Sequence, residues 1–401
     1  MDESGVRGSI PELRDQLVRS RGALNRVTRL RDSAGTEIVG SRDCFQCTTS
    51  PAPLRQTFQG LSAPGLNVKR KETSRQRLDS ERPGQARRNI CKRSVMQIRI
   101  LGSAAGGGFP QWNCSCPNCR AIRSGTFAGR PRTQAQVAVS ADGNCWFLLG
   151  ASPDLRAQIT DCRDLHPRSL RDSPVAGVAL ASADLDHVLG LLLLRELQPL
   201  SVYGTASVLK VLRESNSMFR MLNRVPGQVN WNCIMSSQTF RLRLASGEDA
   251  GISCEAVPLA GHYPAYVQNG GGLSLQESVI GLVLTSDSGH SVAYFPNASE
   301  IEEEVLARLQ SVDLLFFDGT FWSDDELVSL QVGGQTARNM GHIPVAGDEG
   351  SLHRLRILSR TRKLYIHINN TNPMLNEAGP QYREIRDAGW ELAEDGWQAQ
   401  L

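Results

Sequence analysis

The chain has 401 residues, of which 40% are hydrophobic and 21% charged, with a net charge of +3. Residues 1–95 carry 19 Lys and Arg against 10 Asp and Glu, and the remainder carries 25 against 31, so the positive balance lies wholly in the first quarter. No run approaches the roughly 18 to 20 apolar residues of a membrane span, and the charged N-terminus lacks the apolar stretch of a signal peptide. A cytoplasmic protein is expected.

Residues 1–95 show no sustained hydrophobic period and are rich in Arg, Ser, Gly and Pro. So little apolar surface does not offset the entropy of ordering, and disorder is expected. A lone helix near Pro11–Leu30 is the one element considered there. No aromatic or glycine spacing supports a nucleic-acid arm. A start codon placed too early would also explain the segment, and this reading is preferred because Met96 opens the first convincing strand.

From Met96 the texture changes, and 96–401 is expected to form one domain. MQIRILGSA reads as a buried strand, and QVAVSADGNCWFLLGAS as two strands around a turn at Asp142–Gly143. VAGVALAS is a further strand, followed by an apolar helix over Val188–Leu197. IGLVLTSDSGHSVAYFP predicts a hairpin turning at Ser288–Gly289. EIEEEVLARLQ predicts a helix, and VDLLFFDGTF and KLYIHINNTNP are strands that end in polar residues. This alternation predicts an α/β protein of two mixed sheets between outer helices. Polar clusters at strand ends are where such folds build their sites.

NCSCPNC places Cys114, Cys116 and Cys119 within six residues, with Pro117 bending the chain. Three thiolates so spaced can grip one structural zinc, with a fourth ligand from elsewhere. Such a site would pin the loop Gly106–Gly108 and Trp112; the alternative is three unrelated buried thiols. The glycine loop lacks the GKS or GKT of a phosphate cradle, so its glycines are expected to serve a sharp turn. In SADLDHVLGLL a strand delivers Asp184, Asp186 and His187 into a loop before an apolar helix.

Here the sequence resembles the metallo-β-lactamase superfamily, which carries HxHxDH at the end of such a strand. Ser182 and Asp184 stand at the first two histidines, while Asp186 and His187 match the last two positions. GHYPAY offers His262 at the third histidine position, FDGTFW offers Asp318 as the bridging carboxylate, and YIHINNTNP offers His367 as the closing histidine. Together with NCSCPNC and MGHIPV, these motifs resemble the B-protein family of pyrroloquinoline quinone (PQQ) biosynthesis. The resemblance spans Met96 to the C-terminus and implies an αββα sandwich.

It also implies an altered metal site. The first set shrinks to Asp184, His262 and Asp318. The second keeps Asp186, His187 and His367, with Asp318 available as a fourth ligand. Two histidines and one carboxylate with open positions is the set of non-haem Fe(II) oxygenases, although another divalent metal would also fit. Loss of two histidines argues against a standard two-metal hydrolase. The family resemblance implies a substrate derived from a cross-linked Glu–Tyr precursor of PQQ, with tyrosine hydroxylation as the reaction and other PQQ biosynthesis proteins as partners. Catalytic roles are expected for His342, as acid or base, and for Asp184 and Asp318. Arg130, Arg132 and Arg338 are candidates to hold the substrate's carboxylates. A carrier of PQQ or its precursor toward the periplasm, and a hydrolase trimming the precursor, are the other readings.

Overall fold

Alternation of side chains along the strands dictates the layering. The computed structural model describes residues 95–267 and 272–401. The disorder and the helix expected before residue 95 lie outside the described residues. One sheet contains β1 (Gln97–Gly102), β2 (Gln136–Ser140), β3 (Trp146–Leu149), β4 (Val175–Ala179), β5 (Leu200–Thr205), β6 (Val229–Ile234) and β14 (Gln398–Gln400). The other contains β7 (Thr239–Arg243), β8 (Asp249–Leu259), β9 (Val279–Ser286), β10 (Ser291–Phe295), β11 (Leu314–Asp318), β12 (Arg362–Ile366) and β13 (Trp390–Leu392).

The strand orders are β14-β1-β2-β3-β4-β5-β6 and β13-β12-β11-β10-β9-β8-β7. Each sheet is mixed: β3 to β6 and β10 to β13 run parallel, whereas β1–β2–β3 and β7 to β10 pair antiparallel. Ile98, Ile100, Val137, Val139, Phe147 and Leu149 point inward from the first sheet. They meet Leu282, Leu284, Val292, Tyr294, Phe316 and Leu364 of the second. Their neighbours in sequence point outward, because successive strand side chains alternate faces. Trp146, Leu148 and Val178 pack under helices Leu155–Asp161 and Ala206–Lys210. Phe295, Leu315, Phe317 and Tyr365 pack under Glu303–Leu309 and Pro380–Asp387. The result is helix, sheet, sheet, helix, as expected. Each fully buried Leu or Phe contributes about 1.5–3 kcal/mol of transfer free energy.

The strands and hairpins fall where the sequence places them, but the helix expected over Val188–Leu197 does not form as such. Leu185–Val188 makes one α-helical turn, and Leu189–Leu194 continues as a 3-10 helix. Gly190 accounts for this: its amide donates to Ala151 O at 2.9 Å, and a Cβ there would lie 2.3 Å from Ser152 O. The segment is pressed against the 151–152 backbone rather than packed as a free amphipathic helix.

The two sheets are stitched together at one end. Ala105 N donates to Ile368 O (2.9 Å) and Ile368 N to Ser103 O (3.0 Å), joining the segment after β1 to the one after β12. Ile280 N donates to Ala181 O (2.8 Å), joining the end of β4 to β9. The polar strand ends therefore converge at this seam. No helix among the described residues is long and apolar enough to cross a membrane.

Candidate metal centre

A cleft of about 260 Å³ opens at the seam, lined in part by Asp184, Asp186, His262, Asn297, His342 and His367. Asp186, His187 and His367 present ligand atoms within 4.8 Å of one another, and so do Asp318, His342 and His367. The rings of His187, His367 and His342 stack in a row, with centroids 5.4 Å apart at each step.

The first group has the donor set and electrostatics of a cation site. His367 Nε2 lies 2.8 Å and His187 Nε2 3.9 Å from Asp186 Oδ2. Neither ring nitrogen of buried His187 has a hydrogen-bond partner. An unpaired buried polar group costs about 1–3 kcal/mol, and a cation on that ring would offset the cost. Burial holds the His187 imidazole below its ordinary pKa, against the pull of Asp186, which favours the neutral ligand form. Burial raises the Asp186 carboxyl, but the neighbouring imidazoles of His187 and His367, the latter through its hydrogen bond, outweigh it and hold it well below the usual carboxylate range. Burial lowers His367, yet the hydrogen bond and charge of Asp186 leave it raised. His367 adopts a left-handed backbone, φ +59°, which a non-glycine residue keeps only when its surroundings impose it.

Those surroundings centre on Thr320, in FDGTFW. Its hydroxyl lies 2.7 Å from Asp318 Oδ1, 2.8 Å from His367 Nδ1, 2.9 Å from His367 O and 3.1 Å from His342 Nδ1. With Nδ1 turned to Thr320, His367 presents Nε2 to Asp186. Asp318 is fully buried and has both oxygens engaged. Oδ1 accepts from Thr320 N and its hydroxyl, and Oδ2 accepts from Ala298 N at 2.9 Å and meets His342 Nδ1 at 2.7 Å. Four partners match the four lone-pair directions of a carboxylate, so its geometry suits holding His342 in the cleft wall.

The other expected residues are placed less uniformly. Asp184 lines the cleft and accepts from Ser182 Oγ (2.7 Å) and Asn297 Nδ2 (3.2 Å). Its serine neighbour thus holds it where the family pattern has imidazoles. His262 lines the cleft and is exposed, and it stands in neither ligand group. None of the three arginines lines the cleft. Arg132 is buried, donating to Ser103 Oγ and Ala393 O, and Arg130 pairs with Glu394 at 3.3 Å. Arg338 N donates to Asp324 Oδ1 at 2.9 Å.

Cys114, Cys116 and Cys119 bring their sulfurs within 4.8 Å of one another. The Cys116 sulfur accepts from Cys119 N, at the first turn of helix Pro117–Arg123. Burial pushes the Cys116 thiol up to about 11. At Cys114 burial acts the same way, but hydrogen bonds from Cys116 and Asn370 outweigh it and lower the thiol. A soft three-sulfur donor set fits zinc. Gly107 and Gly108 beside it have φ +94° and +70°, the sharp turn expected of that loop, whereas Trp112 stands 85% exposed. A groove of about 700 Å³, lined by Cys114, Cys116, Arg120, Leu330 and Val332 among others, adjoins the cleft through Gly106, Phe321, Met340 and Asn369.

Sequence reasoning missed Thr320, Asn297 and Asn370, all close to the motifs or within them. It weighed ligand types and gave hydroxyls and amides no role.

The model of the β-lactamase superfamily domain matches residues 145–368. The coenzyme PQQ synthesis protein B of Gluconacetobacter diazotrophicus is 42% identical over 309 residues, covering 75% of this chain and 98% of that protein. That of Rhizobium meliloti is 38% identical over 312 residues, covering 77% and 99%. The crystal structure of zinc-bound PqqB from Methylobacterium extorquens superposes with a TM-score of 0.70 at 37% identity, covering 76% of this chain and all of that one. A diphosphatase of the PhnP family, at 20% identity and a TM-score of 0.53, shares the fold. With nearly the full length of these relatives matched at about two residues in five, the chain belongs to the coenzyme PQQ synthesis protein B family, within the β-lactamase superfamily.

Proposed function

We propose that this protein acts in PQQ biosynthesis as a metal-dependent hydroxylase of the tyrosine part of a cross-linked Glu–Tyr intermediate. The observation that carries this reading is the compact group of Asp186, His187 and His367, beside a first site in which Ser182 and Asp184 bond each other. Two imidazoles and one carboxylate suit Fe(II), whereas paired zinc chemistry needs the missing imidazoles. Iron held there would supply redox chemistry toward O₂, with coordination positions left for substrate; one oxygen atom of O₂ would go to the ring and the other to water, so the reaction takes two electrons and two protons from a reductant supplied as co-substrate. The names of the PQQ synthesis relatives support the pathway.

The chain's own residues have distinct tasks in this scheme. Asp186, His187 and His367 would hold the metal, with Thr320 fixing the His367 tautomer. Asp318 orients His342, which moves a proton at the substrate's phenol or ring carbon from the cleft wall. Asp184, tied down by Ser182 and Asn297, keeps the near side of the cleft anionic. The cysteine cluster would hold a structural zinc.

Metal content and O₂ uptake on the Glu–Tyr intermediate test this reading. The parent protein should bind one Fe(II) per chain and consume O₂ when both substrate and a reductant are supplied. His187→Ala and His367→Ala should abolish both while the cysteine zinc stays. Substrate binding without O₂ uptake by the iron-loaded parent would overturn hydroxylation and favour a carrier; cleavage without O₂ would favour a hydrolase.

A further inference from the structure

A second cavity lies between helix Leu155–Asp161, the 3-10 turn Arg163–Leu165 and the β1–β14 edge of the first sheet. Its volume of about 420 Å³ falls in the range of roughly 300–1,000 Å³ that small-molecule sites occupy. It shares no lining residue with the metal cleft.

The wall of this cavity holds an acceptor with nothing to accept from. Gln158 is 2% exposed, and its Nε2 donates to Thr133 Oγ1 (2.9 Å) and Gln134 O (2.8 Å). A carbonyl oxygen only accepts, so Gln134 O fixes which way the amide is turned. Gln158 Oε1 is therefore the free end, buried and without a partner. Asp395 lines the same cavity. Its Oδ1 accepts from Ser103 Oγ (2.8 Å), and its Oδ2 from Thr133 N (2.6 Å) and Oγ1 (2.8 Å). One of its four or so acceptor positions is left open. Burial raises the Asp395 carboxyl above its ordinary pKa against these hydrogen bonds, and a cation beside it would reverse that shift.

The opposite need stands at the rim. Arg99 is committed to Asp164 (2.7 Å), Ile98 O (2.9 Å) and Gln97 (3.2 Å). Exposed Arg163, by contrast, has no side-chain partner among the described residues, and neither has exposed Asp161. A simple cation would meet the unpaired guanidinium, and a simple anion would meet Asp161 and Asp395. A zwitterion satisfies both ends. We propose that this cavity binds a free α-amino acid, its ammonium on Gln158 Oε1 and Asp395 and its carboxylate on the Arg163 guanidinium. Ile100 and Leu101 supply the apolar part of the lining.

Titrating the full-length, metal-loaded protein with each common L-amino acid in turn, by calorimetry and by melting temperature, tests this. At least one should bind with a millimolar or tighter Kd and raise the melting temperature, as a ligand of the folded state does. For that amino acid, the amine lacking the carboxylate and the acid lacking the amine should each bind at least about tenfold more weakly, since each loses a charge-assisted contact. Arg163→Ala alters an exposed residue, so it should melt like the parent without ligand and lose at least about tenfold in affinity. Gln158→Met should lose binding as well, read against its own melting curve. His187→Ala should bind the amino acid as the parent does, which separates this cavity from chelation at the metal. The proposal is overturned if no amino acid binds at millimolar concentration, if Arg163→Ala binds as tightly as the parent, or if binding vanishes in His187→Ala.

Discussion

Replacing Thr320 with valine keeps the volume of the side chain and removes the hydroxyl shared by Asp318, His342 and His367. Partners that orient a metal-binding imidazole are typically worth about 10- to 100-fold in metal affinity. Thr320→Val should therefore weaken metal at the His367 site by that order while the cysteine zinc is retained, which competition with a chelator measures. Glu326 carries a different consequence. Burial pushes its carboxyl up to about 7, against hydrogen bonds from Thr371 and Trp322 N. A raised carboxyl means the folded protein holds this proton more tightly than the unfolded chain. Stability should fall as pH rises from about 4.5 to about 7, by up to about 3 kcal/mol. Glu326→Gln mimics the neutral acid, so it should flatten that fall and stabilise the protein above pH 7 in denaturant titrations.

At the scale of elements, Gly190 couples stability to the metal site. A Cβ at position 190 would lie 2.3 Å from Ser152 O and 2.8 Å from Ala151 O, so backbone has to move. The same stretch holds His187, whose carbonyl accepts from Ala151 N at 2.7 Å. Gly190→Ala should cost about 1–3 kcal/mol, as overpacking does, and should also weaken metal binding at His187; thermal melts with and without metal check both. This element shows where the sequence was readable and where it was not. The apolar pattern of 188–197 marked a helical segment after a strand, but the 3-10 helix over Leu189–Leu194 is dictated by residues 151–152, nearly forty positions away. Strands were legible because alternation is local, and Asp186, His187 and His367 were legible because each closes an apolar strand or follows one. The roles of Thr320 and Asn370 rest on contacts spanning 47 and some 250 residues. No local pattern encodes those.

For the molecule as a whole, Met96 is fully buried and exchanges backbone hydrogen bonds with Leu401 at 3.1 and 3.0 Å. The pairing of β1 with β14 thus begins at Met96. We propose residues 96–401 as the folding unit, so deleting residues 1–95 should leave the melting temperature and zinc content unchanged. A clear drop in calorimetry would show that the removed segment contributes.

The seam between the sheets has a kinetic consequence. The amides of Ala105, Ile368 and Ile280 are the stitches; Ala105 lines the cleft, and Ile368 and Ile280 directly follow His367 and Val279, which line it. A gate built there would have to pull one β-sheet off the other, which exposes the interior core. Ligand exchange must then proceed through side-chain movements in the standing cleft. Hydrogen–deuterium exchange at those three amides should be as slow as in the central strands, reporting global unfolding rather than a local opening. A metal that binds only the folded form should slow them by the same factor as it slows the core.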